Sequence, residues 1–275
     1  MAYPYGMQGV PKVGNGLGGL PQRDVATKLP FEPVIVDITS GSGQYVVPKG
    51  VKFMRVSVVG GGGGGRSGYG SGAGGGLARS EILPAYAGLT IDYVVGAGGT
   101  GGNSSDTGMS DGGVTTARFR DITLQATGGK YCTAVGKPAP GGVGTGGKDN
   151  YSGGAGGYRS GSNAAVGGGG GAAGYDGNGA AGGVDSVAPV SSGSSGGGAG
   201  NSGVANTTPT GGGGGVNADG TSYGVAQSSS KTRAWWGSTS GTPEGGAWGG
   251  GGGCVYVIGY PAYNGGSGGV RIELW

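Results

Sequence analysis

Runs of glycine decide what this chain can fold into. From Gly141 to Gly253 they alternate with short inserts, as at Gly167 to Gly171, Gly211 to Gly215 and Gly249 to Gly253. Each glycine loses about 0.5–1 kcal/mol more backbone freedom on folding than alanine does. With 80 glycines in 275 residues, side-chain burial does not obviously offset that loss. Two solutions exist: the stretch stays disordered, or backbones pack against backbones at separations that exclude every side chain. Collagen takes the second route with glycine at every third residue and abundant proline. Here runs of five or six glycines break any triplet and only 13 residues are proline, so a collagen helix is excluded. What remains is a packed array of extended polyglycine segments hydrogen-bonded to their neighbours, or a low-complexity disordered region.

Around this centre the large apolar residues cluster near 34–59, 77–95, 114–127 and 254–275, which leaves room for only a small conventional core. With 17 Lys and Arg against 14 Asp and Glu there is no polybasic footprint for nucleic acid. Histidine is absent, which removes the commonest general base and metal ligand at neutral pH. Asp149, Asp176, Asp185, Asp219 and Glu244 are scattered, with no metal-ligand spacing or nucleophile elbow beside them. The expectation is a non-enzyme with no cofactor and no metal. Val58-Val59-Gly60 leads into glycines without the helix or the G-x-x-x-x-G-K-[ST] pattern that phosphate binding requires. Asn206-Thr207-Thr208 fits a glycosylation sequon by chance in a threonine-rich loop. Cys132 and Cys254 show no C-x-x-C spacing and read as two free, partly buried thiols. Met1 to Gly9 lacks a basic region followed by an apolar run, and no eighteen-residue apolar stretch occurs, so the expected product is soluble and made in the cytoplasm.

Residues 1–33 repeat Pro and Gly without apolar periodicity and read as an extended arm without its own core. Such an arm is either a loose terminus or an attachment segment ordered by a partner. Its spaced hydrophobes Tyr3, Tyr5, Val10, Leu17, Leu20, Leu29 and Phe31 are the candidate attachment residues. From Val34 the pattern becomes that of β-strands: 34–38, 45–47, 51–59, 77–83, 89–95, 114–119, 122–126, 254–260 and 270–275. In the third of these, Phe53, Arg55 and Ser57 point one way and Met54, Val56 and Val58 the other. No stretch carries capped helical periodicity. The fold class is therefore all-β, a sandwich-like framework with an inserted packed array of polyglycine II-type segments. The framework is placed at 34–129 and 254–275 and the array at 130–253; pairing of strands from both chain ends would pin the array.

Within the array, the insert from Asn217 to Trp248 holds three of the chain's four tryptophans. Trp and Tyr offer large rigid contact area, and with Ser, Gly and Asn they compose adaptable recognition loops. Tyr223, Lys231, Arg233, Trp235 and Trp236 are the receptor-binding candidates; the aromatics can stack on sugars while Lys231 and Arg233 pair with phosphate or carboxylate. The competing reading of Trp235 and Trp236 is that they cap the array, and capping is favoured for Trp248, which glycines flank. Tyr256, Tyr260 and Tyr263 form a second patch.

The segment Gln44-Tyr45-Val46-Val47-Pro48-Lys49-Gly50-Val51, then Met54 to Val59 and six glycines, resembles the opening of the glycine-rich domain of bacteriophage tail-fibre proteins. Pro84 to Gly99 is similar to that family's second block and Gly268 to Trp275 to its closing strand, so the resemblance covers roughly 34–275. The centre also looks like the distal adhesins of T-even-type phage fibres, in which polyglycine II helices pack into a sandwich and variable loops at the tip contact the host. The resemblance implies a virion appendage, a tail fibre or fibre tip, that recognises a host surface glycan or outer-membrane protein. It implies other virion proteins as partners of the arm and a homotrimeric assembly. This chain lacks the shaft repeat and heptads of the long fibres. A second reading is a purely structural capsid or tail decoration protein, and a third, a bacterial surface protein, is weakened by the missing export signal. Replacing Trp235 and Trp236 by alanine is expected to abolish adsorption to the host with particle assembly intact; lost assembly, or no effect, supports decoration.

Overall fold

The computed structural model describes residues 32–103, 108–159, 167–184, 248–254 and 262–275. Among them there is no helix, and the strands form two antiparallel sheets. The first sheet holds β1 (Val34–Ile38), β3 (Phe53–Val59), β4 (Leu77–Arg79), β5 (Leu83–Pro84), β10 (Asp149–Tyr151) and β11 (Gly269–Leu274). Its order is β1-β11-β3-β4-β10, with β5 on the start of β3. The second sheet holds β2 (Ser42–Val46), β6 (Thr90–Val94), β7 (Thr115–Phe119), β8 (Ile122–Ala126) and β9 (Gly144–Thr145), in the order β2-β6-β7-β8-β9. The last strand thus lies between the first and the third, and the two ends of the described fold close on one another.

Alternation along the strands builds the core. Met54, Val56 and Val58 of β3, Val270, Ile272 and Leu274 of β11, and Ala78 of β4 face Ile91, Ala117, Phe119, Leu124 and Ala126 of the second sheet. The other face of β3 carries Arg55 and Ser57, as the sequence period requires, and Ser57 there is fully buried. The second sheet's outer face carries Gln44, Asp92, Arg118, Thr123 and Gln125 and meets solvent. Where Cys254 to Tyr260 was expected to be a strand, Cys254 is not in one and 255–260 lie outside the described residues.

Glycine segments leave and re-enter the sandwich at the ends of its strands. They occur at 60–65, 71–76, 96–102 and 110–113 as well as after residue 127, so framework and array are interleaved along the chain. Successive N–H groups of 60–65 go to three different neighbours in rotation: Gly60 and Gly63 to the carbonyls of Gly76 and Ala73, Gly61 and Gly64 to Gly113 and Ser110, Gly62 and Gly65 to Gly266 and Tyr263. Its own carbonyls accept from Gly129, Gly99 and Gly252. Segment 60–65 is thereby ringed by 71–76, 110–113, 262–268, 127–130, 96–102 and 249–253. Segment 71–76 repeats the rule, donating in rotation to 154–157, 249–252 and 127–130 and accepting from 60–65, Gly142 and 170–173. A β-ladder bonds every residue to at most two strands in one plane; this pattern bonds in three directions with a three-residue period.

Few positions inside such a lattice leave room for a side chain; Ser71 and Ala73, both wholly buried, are two that do. A Cβ on Gly62 would meet the carbonyl of Gly250 well under 3.0 Å, and the obstacle is backbone that cannot swing aside. Gly41, in the turn between β1 and β2, differs: its φ is 79° and no atom lies within 4 Å of the point a Cβ would occupy. Gly41→Ala is therefore expected to lose only about 1–2 kcal/mol, the left-handed strain of an L-residue. Gly62→Ala is expected to lose more than about 4 kcal/mol or fail to fold, because several segments must separate at once. Urea denaturation of the two variants beside wild type measures the difference.

Candidate functional site

The array has two ends. At the near end, beside the sandwich, lie Gly60, Gly76, Gly96, Gly113, Thr127 and Gly268. At the far end, where segments turn back, lie Arg66, Gly102, Lys130, Tyr158, Gly253 and Tyr263. Three turns are tied together there. The turn 66–70 closes through Arg66 N–H to the Gly70 carbonyl at 2.8 Å with Gly68 at φ 72°. The buried Arg66 guanidinium lies over the Tyr69 ring, 3.6 Å from its centre, and donates to the Thr133 carbonyl at 2.7 Å. Arg159 donates its backbone N–H to Tyr69 and its Nη1 to Gly68, and Gly136 N–H reaches back to Arg159. Arg66 thus works as a rivet under the surface, since a cation stacked on a ring and bonded to a carbonyl is held by both.

What this end presents is a group of half-buried aromatics, Tyr69, Tyr131, Tyr158 and Tyr263, beside Lys130, Lys137 and Arg159. Lys130 pairs with Asp111 at 2.8 Å while Asp111 also accepts from the Tyr131 N–H, an exposed arrangement worth little to stability. Tyr263 is knit in by its main chain, donating to Gly253 and accepting from Gly65, and burial raises its hydroxyl pKa. The neighbouring Asn264 accepts from Gly101 N–H at 2.8 Å. Cys132 lies just beneath, a free buried thiol whose pKa burial pushes up to about 11. Cys254 is likewise a buried thiol outside any disulfide. Such a surface offers ring faces for stacking and cationic hydrogen-bond donors. No group of three or more His, Cys, Asp or Glu among the described residues is arranged to hold a metal.

Of the receptor-binding candidates, Tyr263 is described and sits in this far end. Tyr223, Lys231, Arg233, Trp235, Trp236 and Tyr260, with Tyr256, lie outside the described residues, as do the attachment candidates Tyr3, Tyr5, Val10, Leu17, Leu20, Leu29 and Phe31. The chain leaves the described array at Val184, at the far end beside Gly168, and re-enters at Trp248, at the near end. Tyr69, Tyr131, Tyr158 and Arg159 do not stand out in the sequence. A signal for them exists all the same: each follows a glycine segment that starts from the sandwich side, so each falls on the opposite side from the strands.

The near end carries a second cluster. Antiparallel register sets Asp37, Arg271, Ser57, Arg79 and Asp149 in one row across the outer face of the first sheet, with Glu273 opposite Arg55 in the next. Arg271 holds both oxygens of Asp37 at 2.7 Å, and Arg55 holds Glu273 at 2.6 and 2.7 Å. Both pairs are bidentate, the strong form of the contact. Trp248 and Tyr175 cover them: Arg271 lies 5.5 Å from the Trp248 ring and Arg79 lies 4.7 Å from the Tyr175 ring. Trp248 also rests on Gly269 and is buried, so it caps the near end of the array; it keeps a φ of 64° that packing on both sides must hold. Burial acts to lower the Arg271 pKa, but its hydrogen bonds to Asp37 and the charges around it raise it overall. Arg79 moves the other way, lowered by burial and by the neighbouring Arg55.

An all-β sandwich whose strands run out into backbone-packed glycine segments is the class this architecture defines. The chain belongs to the glycine-rich domain family, whose sequence pattern matches residues 38–275. No curated protein matches it.

Burial, with the charges of Asp37 and Glu273 adding to it against the opposing arginines, pushes the Tyr175 hydroxyl up to about 12. Its neutral form is thus favoured in the folded state, and the stability it carries is present below pH 10 and lost as pH rises through about 12. The unfolding free energy is expected to fall by about 2–3 kcal/mol across that window. Tyr175→Phe is expected to remove that part of the fall, as read from urea midpoints at pH 9 and above.

Proposed function

We propose that this protein is a bacteriophage virion appendage, a tail fibre or fibre tip, that binds a host surface glycan or outer-membrane protein during adsorption. The observation that supports it most is the far end of the array: a rigid, backbone-bonded block that gathers Tyr69, Tyr131, Tyr158, Arg159 and Tyr263 on one side, away from the sandwich. Tyrosine faces stack on sugar rings and the cations pair with phosphate or carboxylate, the chemistry of a bacterial surface polysaccharide. The three-residue rotation of hydrogen bonds supports reading the segments as polyglycine II-type. A scaffold of that kind keeps its loops pre-organised, so binding loses little to ordering.

The opposite end suits mounting. Residue 32 enters there, next to exposed Val34, Ile35, Phe53, Ile82 and Tyr86. Other virion proteins are the partners proposed for that end and for residues 1–33, in a homotrimer located on the virion. Several copies per particle raise weak contacts through effective concentration.

Binding of the purified protein to a panel of Gram-negative cells, and to lipopolysaccharide extracted from them, tests the proposal. Wild type is compared with Tyr131→Ala/Lys137→Ala/Tyr158→Ala and with a chain whose 217–244 insert is replaced by a short Gly-Ser loop. At least a tenfold loss of binding in one of the variants, with melting unchanged, is expected. No binding by the wild type to any cell favours the decoration reading.

A further inference from the structure

The row Arg271, Ser57, Arg79 places one short side chain between two long ones on neighbouring strands. Facing residues in such a row stand about 4.5–5.5 Å apart at Cβ, so the two arginines rise as walls on either side of the serine. Tyr175 closes the top, its ring 4.7 Å from the Arg79 guanidinium and 5.9 Å from that of Arg271. Three buried polar atoms of this group have no hydrogen-bond partner among the described residues: Ser57 Oγ, Arg79 Nε and Tyr175 Oη. Ser57 is wholly buried and Tyr175 is only 7% exposed. All three can donate, and Arg79 Nε can do nothing else.

The surrounding charges say what would accept those bonds. Asp37 is taken by Arg271 and both oxygens of Glu273 by Arg55. The nearest carboxylate oxygen paired with Arg79 is that of Glu273, at 3.9 Å, and Asp149 beside it in register makes no closer contact. Arg79 is therefore a largely buried cation whose one ion-pair contact, with Glu273, is long, and burial with repulsion from Arg55 lowers its pKa. Its Nε in particular has no acceptor among the described residues, and a buried donor of a charged group without one is costly.

We propose that the space above Ser57 binds a small monatomic anion, chloride under ordinary conditions, held by Ser57 Oγ, Arg79 Nε and Tyr175 Oη. The ion locks the near end of the glycine array to the outer face of the first sheet, because Tyr175 belongs to the array's turn while Ser57 and Arg79 belong to β3 and β4.

Bromide is the probe. In crystals of the full chain grown with sodium bromide, an anomalous peak is expected within hydrogen-bond distance of the three named atoms; density there without anomalous signal means water and overturns the proposal. In solution, melting is followed in sodium bromide against sodium gluconate at equal ionic strength. A rise of about 3–5 °C for each tenfold increase in bromide above its dissociation constant is expected for the wild type. Equal melting in both salts overturns the proposal. Ser57→Val fills the space with a residue suited to a strand and is expected to melt independently of bromide; a bromide response equal to the wild type's overturns the assignment to this place. Tyr175→Phe, which removes one donor with little change of shape, is expected to halve the response or more, and serves if Ser57→Val does not fold.

Discussion

The hydrogen bond from one main chain directly to another, repeated in three directions around each glycine segment, is the contact on which this protein rests. It offsets the entropy that glycine loses, because every N–H of segments 60–65 and 71–76 donates to a main-chain carbonyl without help from side chains. It also explains why the sequence has so little leeway there. A methyl group at Gly62 would collide with a carbonyl of a different segment, and that segment is bonded in turn to others. The array is thus cooperative by geometry, and its ends inherit its rigidity.

That rigidity has to be joined to an ordinary β-sandwich, and the joint is electrostatic as much as apolar. The face of the first sheet that looks away from the inter-sheet core carries Arg55, Arg79, Arg271, Asp37 and Glu273, an unusual choice for a surface that Trp248 and Tyr175 then bury. Bidentate pairs fix the positions of the arginine planes, and planar guanidiniums accept aromatic rings laid against them. A purely apolar face would have buried the same rings without fixing their orientation. The near end is therefore where the fold specifies how array and sandwich meet.

Much of the framework is legible in the sequence. The alternation through Phe53 to Val59 indicates both the strand and its two faces, and the apolar residues of 270–274 mark the strand that closes on it. The charged partners on the outer face are not legible: Asp37 and Arg271 are far apart in the chain, and only register brings them together. The far-end aromatics escape a sequence reading for a related reason. The tryptophans of one long insert are conspicuous as a cluster, whereas Tyr69, Tyr131 and Tyr158 stand singly in short turns and become a surface only when segments from across the chain run side by side.

What the sequence determined by itself is local: glycine runs that demand backbone-to-backbone packing, period-two strands, the absence of any capped helix, and a composition without histidine. Those follow from the sterics and periodicity of each stretch. Tertiary structure decided the rest, namely that array and framework interleave from Gly60 onward, that the turns alternate between two ends, and that Ser57, Arg79 and Tyr175 converge. Each of these depends on which segments become neighbours, and interchangeable runs of glycine carry no side chain by which a neighbour can be read.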